Sequence, residues 1–171
     1  GNLSQLIVMG CLSQRYKEEL KAEIPEVDQF FGVDEIHKIV EHLKGSNNSF
    51  NQYQRYLSSP GHYSYLKIAE GCNRKCSFCS IPFIRGSYKS KSLETLLYEA
   101  TYLAQEEVKE LNLIAQDLSY YGYDIQKKAL LPELIRRLDR MDSFEWIRML
   151  YAYPAGFPTQ VLELMKDSPH I

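Results

Sequence analysis

The chain has 171 residues, of which 44% are hydrophobic and 25% are charged, as is ordinary for a globular protein. Its net charge of −2 argues against a strongly basic nucleic-acid binder, although local basic patches are still allowed. No apolar run approaches the roughly 20 residues that a membrane-spanning helix needs. Four cysteines in a chain of this length argue against a disulfide scaffold and favour a reducing compartment. We therefore expect a cytoplasmic protein without a membrane partner.

The first 45 residues predict a small α/β piece. A continuous apolar run over 6–9 predicts a buried parallel strand, with Cys11 at its C-terminal end. Helices are expected over 13–24 and 34–44, because apolar residues recur there at helical spacing. The predicted N-caps of these two helices are Ser13 and Asp34.

Residues 46–62 have the composition of a linker, so we predict domains over 1–45 and 63–171. In the second domain, strands and helices alternate as three βα units. The expected strands are 63–71, 110–115 and 145–153, and the expected helices are 92–107, 130–141 and a short one from Thr159. This order predicts a parallel sheet with right-handed crossovers. The sheet would be either a small open one or the first part of a larger barrel, and the chain would be a fragment.

Three cysteines, Cys72, Cys76 and Cys79, lie within eight residues of the stretch 70-EGCNRKCSFCSIPFIRG-86. The stretch follows a predicted parallel strand, at the edge where ligands bind in α/β folds. A zinc site would need a second pair of ligands, and a disulfide would leave one thiol over. An iron–sulfur cluster accounts for the spacing best, because three thiolates leave one iron open to a ligand.

The spacing, with Phe78 directly before the third cysteine, resembles the radical S-adenosylmethionine enzymes. In that family the open iron is chelated by the amino and carboxylate groups of S-adenosylmethionine. One electron from the cluster cleaves that cofactor and gives a 5′-deoxyadenosyl radical, which abstracts a hydrogen atom. The resemblance therefore implies a [4Fe-4S] cluster and S-adenosylmethionine as cofactors.

Three further stretches are similar to one branch of that family, the methylthiotransferases: 8-VMGCLSQRY-16, 113-LIAQDLSYYG-122 and 151-YAYPAGFP-158. Within the branch, the Ala-Gln-Asp and Tyr-Ala-Tyr-Pro segments favour members that modify a ribosomal protein over those that modify tRNA. The implied fold is part of an N-terminal methylthiotransferase domain followed by part of a radical S-adenosylmethionine (βα) barrel.

The resemblance also implies roles for individual residues. Cys72, Cys76 and Cys79 would hold the radical-generating cluster, and Phe78 would pack near the adenine of the cofactor. Two residues at the end of the second barrel strand would contact the amino group of the cofactor, namely Gln116 and Asp117. Phe78 could instead fill a core, and Asp117 could instead cap the next turn. Arg85 could contact substrate or cofactor, but pairing with a surface acid is the simpler expectation.

Cys11 corresponds, by the same resemblance, to the last of three cysteines that hold an auxiliary [4Fe-4S] cluster. That cluster would carry the sulfur of the methylthio group. The other two cysteines would lie upstream of this sequence. The second half of the barrel and the family's C-terminal TRAM domain would also lie outside it, so we expect this chain alone to be inactive.

The implied activity is methylthiolation of the β-carbon of an aspartate in the twelfth small-subunit ribosomal protein. The electron donor would be of flavodoxin or ferredoxin type, and no catalytic side chain is assigned. Two alternatives remain open: a tRNA adenosine methylthiotransferase, and an iron–sulfur electron-transfer module that does not act on S-adenosylmethionine.

Overall fold

The computed structural model describes residues 3–33, 35–44, 56–57 and 60–171. In chain order its elements are β1 (Ile7–Met9), α1 (Cys11–Arg15), α2 (Lys17–Glu23), β2 (Gln29–Phe31), α3 (Ile36–Lys44), β3 (Tyr63–Lys67), β4 (Ala69–Glu70), α4 (Ile81–Arg85), β5 (Lys89–Ser90), α5 (Leu93–Gln105), β6 (Glu110–Ile114), a 3-10 turn (Leu118–Tyr120), α6 (Tyr123–Gln126), α7 (Leu131–Asp139), β7 (Trp146–Leu150) and α8 (Gln160–Asp167). Among the described residues, no helix combines the length and the apolar character that a membrane span requires.

The chain divides into two compact units. The first contains residues 1–52 and 74–86, and the second contains residues 53–73 and 87–171. The predicted linker at 46–62 falls largely outside the described residues. The predicted domain boundaries therefore stay a prediction.

Three parallel strands form the centre of the second unit, in the order β3-β6-β7. The pattern of three βα units and a parallel sheet is thus confirmed. Helices α5 and α7 contact β3 and β7, the two outer strands of this sheet. Their buried residues join Leu66, Leu113 and Ile147 of the strands in one hydrophobic core.

Helix α5 shows how the local sequence sets an element boundary. The Ser92 hydroxyl accepts a hydrogen bond from the backbone N–H of Thr95 at 3.2 Å, so Ser92 is the predicted N-cap. The helical apolar spacing also holds, because Leu96 and Leu103 are fully buried on one face.

The first unit contains a second parallel pair, β1 with β2, in which Val8 lies opposite Phe30. The strand predicted at 6–9 is therefore present and parallel. It is less buried than predicted, because the buried residues of this pair are Phe30 and Phe31 on β2, a strand that the sequence analysis missed. Three residues are too few to show the period of a strand.

The single helix predicted over 13–24 is two helices, α1 and α2, separated at Tyr16. Ser13 lies inside α1 and is buried, so its prediction as an N-cap is wrong. Gly10 occupies the cap position instead, with φ of 142°, a conformation that residues with a side chain rarely adopt.

Helix α3 confirms the second predicted helix of this unit, although Asp34, its predicted N-cap, lies outside the described residues. The carboxylate of Glu35 precedes α3 and accepts a hydrogen bond from the Gly32 N–H at 2.7 Å. That bond, together with the Lys38 ammonium at 2.5 Å, lowers the pKa of Glu35 to about 2.

The burial of the central strand β6 predicts that its mutation lowers the stability of the second unit. Leu113→Ala removes a fully buried side chain and should lower the free energy of unfolding by about 2–5 kcal/mol. The matched change Leu162→Ala, on a residue of α8 that is 55% exposed, should lower it by less than about 1 kcal/mol. Urea unfolding measures both values. Equal losses in the two variants would contradict the described core.

Candidate cofactor site

The cysteine stretch lies between two short strands that pair with each other. Strands β4 and β5 are antiparallel, with Ala69 opposite Ser90 and Glu70 opposite Lys89. The sequence predicts one strand over 63–71, but in the structure the chain changes its strand partner at Ile68. The N–H of Ile68 bonds to β6 and its carbonyl accepts from Lys91, so the chain turns away from the central sheet there. We call the β4–β5 pair the stem.

A carboxylate on α6 fixes the stem. Asp124 accepts two hydrogen bonds from Ser90, one from its backbone N–H at 2.7 Å and one from its hydroxyl at 2.6 Å. The same hydroxyl accepts a hydrogen bond from the N–H of Gly122 at 3.0 Å. The stem is therefore attached to the loop that follows β6.

Tyr88 makes a second attachment. Its backbone N–H donates to the Asn73 side-chain oxygen at 3.0 Å, and its hydroxyl donates to the Asp117 carbonyl at 2.8 Å. The side chain is buried and its ring meets Tyr120 edge-on, with 5.1 Å between centroids. Burial, and secondarily the charge of Asp117, raises the pKa of Tyr88 far above its usual value, so the hydroxyl stays a donor. One tyrosine thus connects the residue after Cys72 to the end of β6.

None of the three clustered cysteines forms a disulfide. Cys72 is buried, whereas Cys76 and Cys79 are partly exposed. The N–H of Cys79 donates to the Cys76 carbonyl at 3.1 Å, which places these two residues in one turn. Within the described part of the chain, no group of three or more His, Cys, Asp or Glu side chains is gathered as a metal site. Joint ligation by the three cysteines therefore stays a prediction.

Gln116 and Asp117 follow β6 at the C-terminal edge of the sheet. The side-chain oxygen of Gln116 is buried and has no hydrogen-bond partner among the described residues. Leaving such an oxygen unpaired costs about 1–3 kcal/mol, so this position points to a group that would donate to it. The Asp117 carboxylate accepts from the Ser119 N–H at 2.9 Å and so caps the 3-10 turn. The capping role that the sequence allowed for Asp117 is therefore present.

The same edge brings together the two segments that the sequence analysis singled out on either side of α7. The Ser119 hydroxyl donates to the Tyr153 carbonyl at 2.7 Å, and the Leu118 N–H donates to the Tyr151 carbonyl at 3.2 Å. Tyr151 has a left-handed φ of 70°, which is unusual for a residue with a side chain. The tyrosines of these segments differ in exposure, because Tyr121 is fully buried and Tyr151 is 71% exposed.

The remaining predicted site residues lie in the first unit. Phe78 is 93% exposed, so it does not fill a core in this structure. Cys11 is the first residue of α1, which packs against α4. The guanidinium of Arg85, the last residue of α4, donates to the Cys11 sulfur at 3.4 Å. This contact could not be predicted from the sequence, because 74 positions separate the two residues. Pairing of Arg85 with a surface acid stays a prediction.

The family model of the Radical SAM superfamily matches residues 66–170. The chain belongs to the Radical SAM superfamily. Over all 171 residues it is 54% identical to a ribosomal protein uS12 methylthiotransferase RimO from Chlorobium chlorochromatii, and it spans 39% of that protein. Proteins of the same name from Bacteroides thetaiotaomicron and Pelodictyon phaeoclathratiforme are 48% and 51% identical, each again over the whole chain and 39% of their own length.

A solved structure shares the fold. It is the radical S-adenosylmethionine methyltransferase TsrM from Kitasatospora setae, with tryptophan substrate and a SAM analog bound. The TM-score is 0.52 at 18% identity, over 66% of this chain and 23% of that one. The α/β class with parallel strands is therefore confirmed by both comparison and structure.

The Tyr88 hydrogen bonds predict a specific loss in Tyr88→Phe. The variant lacks the Tyr88 hydroxyl that donates to the Asp117 carbonyl. The loss of this hydrogen bond should lower the free energy of unfolding by about 1–3 kcal/mol. Tyr151→Phe is the control, because that side chain is 71% exposed, and it should change stability by less than about 0.5 kcal/mol. Urea unfolding again gives both values. Tyr88→Phe with wild-type stability would show that the bond does not hold the loop.

Proposed function

We propose that the whole protein is a radical S-adenosylmethionine methylthiotransferase that modifies an aspartate β-carbon in the ribosomal protein uS12. The observation that supports this most strongly is 48–54% identity, across every residue of the chain, to proteins that carry that name. The chain spans only 39% of those relatives, so activity, substrate and partners are inferred for the longer protein. A cytoplasmic location and a flavodoxin- or ferredoxin-type electron donor complete the proposal.

The residues present fit the implied cofactors. Cys72, Cys76 and Cys79 form no disulfide, and cysteine thiolates are the usual ligands of iron–sulfur clusters. Gln116 offers a buried, unpaired oxygen acceptor, which suits the amino group of S-adenosylmethionine as a donor. When bound, the [4Fe-4S] cluster and S-adenosylmethionine would supply the one-electron chemistry that breaks an unactivated C–H bond.

The residues of this chain would bind and orient the cluster and S-adenosylmethionine. The three cysteines would hold the cluster, and the Gln116 oxygen would accept a hydrogen bond from the amino group of the cofactor. Asp117 would position the loop that follows β6, because its carboxylate caps the 3-10 turn and its carbonyl accepts a hydrogen bond from Tyr88. Phe78, with its exposed ring, is available to pack on the adenine.

Cys11 is proposed as one ligand of an auxiliary [4Fe-4S] cluster in the longer protein. The Arg85 guanidinium donates a hydrogen bond to the Cys11 sulfur at 3.4 Å, which holds that sulfur in place between α1 and α4. Two further cysteines from outside this sequence would complete that site. We expect the 171-residue chain alone to bind one cluster and to form no methylthiolated product.

One experiment tests the proposal and distinguishes the roles of the two clusters. After anaerobic reconstitution and reduction, the longer protein should convert S-adenosylmethionine to 5′-deoxyadenosine and add a methylthio group to uS12, detected by mass spectrometry. Cys76→Ala should abolish both. Cys11→Ala should spare cleavage of S-adenosylmethionine but stop methylthio transfer. Cleavage that persists in Cys76→Ala, or methylthiolation of tRNA instead of uS12, would overturn the assignment.

Gln116 gives a prediction that the 171-residue chain can test. Gln116→Leu removes a buried acceptor without a partner, so it should raise the free energy of unfolding by about 1 kcal/mol. The same change should weaken S-adenosylmethionine binding to the reconstituted chain by about tenfold or more, because a hydrogen bond to a charged group is lost.

Urea unfolding and equilibrium dialysis measure the two effects. Gln105→Leu, on an exposed residue that ends α5, is the matched control and should alter neither value appreciably. Undiminished cofactor affinity in Gln116→Leu would remove Gln116 from the site.

A further inference from the structure

An open cleft of about 960 Å³ lies in the second unit, and none of the residues assigned to the cofactor lines it. Its walls come from the start of α5, from α6 and the loop that joins it to α7, from α7 as far as Arg137, and from residues 156–160 at the start of α8. The proposed methylthiotransferase activity assigns it no role.

The cleft concentrates positive charge in a chain that is acidic overall. Four cations and two anions line it: Lys127, Lys128, Arg136, Arg137, Glu94 and Glu133. Four minus two gives a formal charge of +2, whereas the whole chain has −2. The remainder of the chain therefore carries −4, and the cleft is an electropositive region on a negative background.

The cations of the cleft keep donors available to a ligand. Arg136 and Arg137 each bond to a Glu133 oxygen at 2.7 Å, but each guanidinium has five N–H donors, so several are left over. Within the described residues, Lys128 has no hydrogen-bond or ion-pair partner. The Lys127 ammonium lies 3.5 Å from the Asp124 carbonyl, a weak contact, and both lysines are exposed.

Two aromatic side chains accompany the cations. Tyr123, 38% exposed, and Phe157, partly buried, both line the cleft. Cations that contact phosphates, together with aromatic rings on which bases stack, are the combination that binds single-stranded nucleic acid. An acidic peptide would use the cations but would have no need of the rings.

We propose that this cleft binds the phosphodiester backbone of a single-stranded RNA segment. The choice of RNA rests partly on the proposed function, since a ribosomal protein is surrounded by RNA in its particle. Lys127 and Lys128 contact phosphates, and the two arginines add planar donors that suit phosphate oxygens. The cleft then binds RNA and does not take part in the chemistry.

Fluorescence anisotropy with a labelled short oligouridine and the purified 171-residue chain tests this proposal. The wild-type chain should bind at about 50 mM salt and lose affinity steeply as salt rises. The double variant Lys127→Gln, Lys128→Gln should lose about tenfold in affinity, with a salt slope shallower by about 1 to 2.

The double variant Lys109→Gln, Lys166→Gln is the control. It makes the same change in net charge on the same unit, at two lysines that do not line the cleft, and it should bind within about twofold of wild type. Thermal unfolding checks that both double variants are folded.

Three outcomes would overturn the proposal. They are no measurable binding by the wild-type chain, equal losses in the two double variants, and displacement of oligouridine by polyglutamate at matched charge. The last outcome would assign the cleft to an acidic peptide. The binding assay needs no cluster or S-adenosylmethionine, so its failure is distinct from a failure of the proposed methylthiotransferase activity.

Discussion

Parallel pairing of β3, β6 and β7 is the constraint on which the rest of the second unit depends. Because the strands run in one direction, their C-terminal ends meet at one edge of the sheet. The chain therefore delivers Cys72, Gln116 and the Tyr-Ala-Tyr-Pro segment to that edge from three separate βα units. The hydrogen bonds from Ser119 and Leu118 to the loop after β7 then join two of these segments directly.

The stem restricts the conformation of the cysteine loop, which the central sheet alone does not do. A loop as long as the cysteine stretch would have many conformations, and ordering it costs conformational entropy. The β4–β5 pair, the Asp124 carboxylate and Tyr88 restrict the two ends of that loop through hydrogen bonds of 2.6–3.0 Å. The two ends of the cysteine loop therefore have defined positions, and a cofactor site requires ligands on a positioned loop.

Much of this arrangement could be predicted from the sequence, and the failures have physical causes. The three βα units and the Ser92 cap are local patterns, so periodicity and capping chemistry were sufficient. Strands β2, β4 and β5 have two or three residues each and are defined by their partners, so no periodicity revealed them. The break at Tyr16 interrupts a helical pattern that continues on both sides.

The candidate site also has features that the sequence predicts and features that only the fold reveals. Cysteine spacing is a local pattern, so the prediction of three cluster ligands needed the sequence alone. The hydrogen bonds of Tyr88 and the contact of Arg85 with Cys11 join residues 15, 29 and 74 positions apart, so only the fold could reveal them. The charged residues of the positive cleft likewise lie on two separate helices and a loop. A net charge of −2 for the whole chain gave no indication of them.

Every role proposed for the site depends on three thiolates that hold a cluster whose remaining iron is open to S-adenosylmethionine. The most direct test is electron paramagnetic resonance of the reconstituted, reduced 171-residue chain with and without S-adenosylmethionine. We expect a [4Fe-4S] signal that shifts when S-adenosylmethionine is added and that is absent from Cys72→Ser, Cys76→Ser and Cys79→Ser. A signal that S-adenosylmethionine leaves unchanged, or one that survives loss of these cysteines, would contradict it.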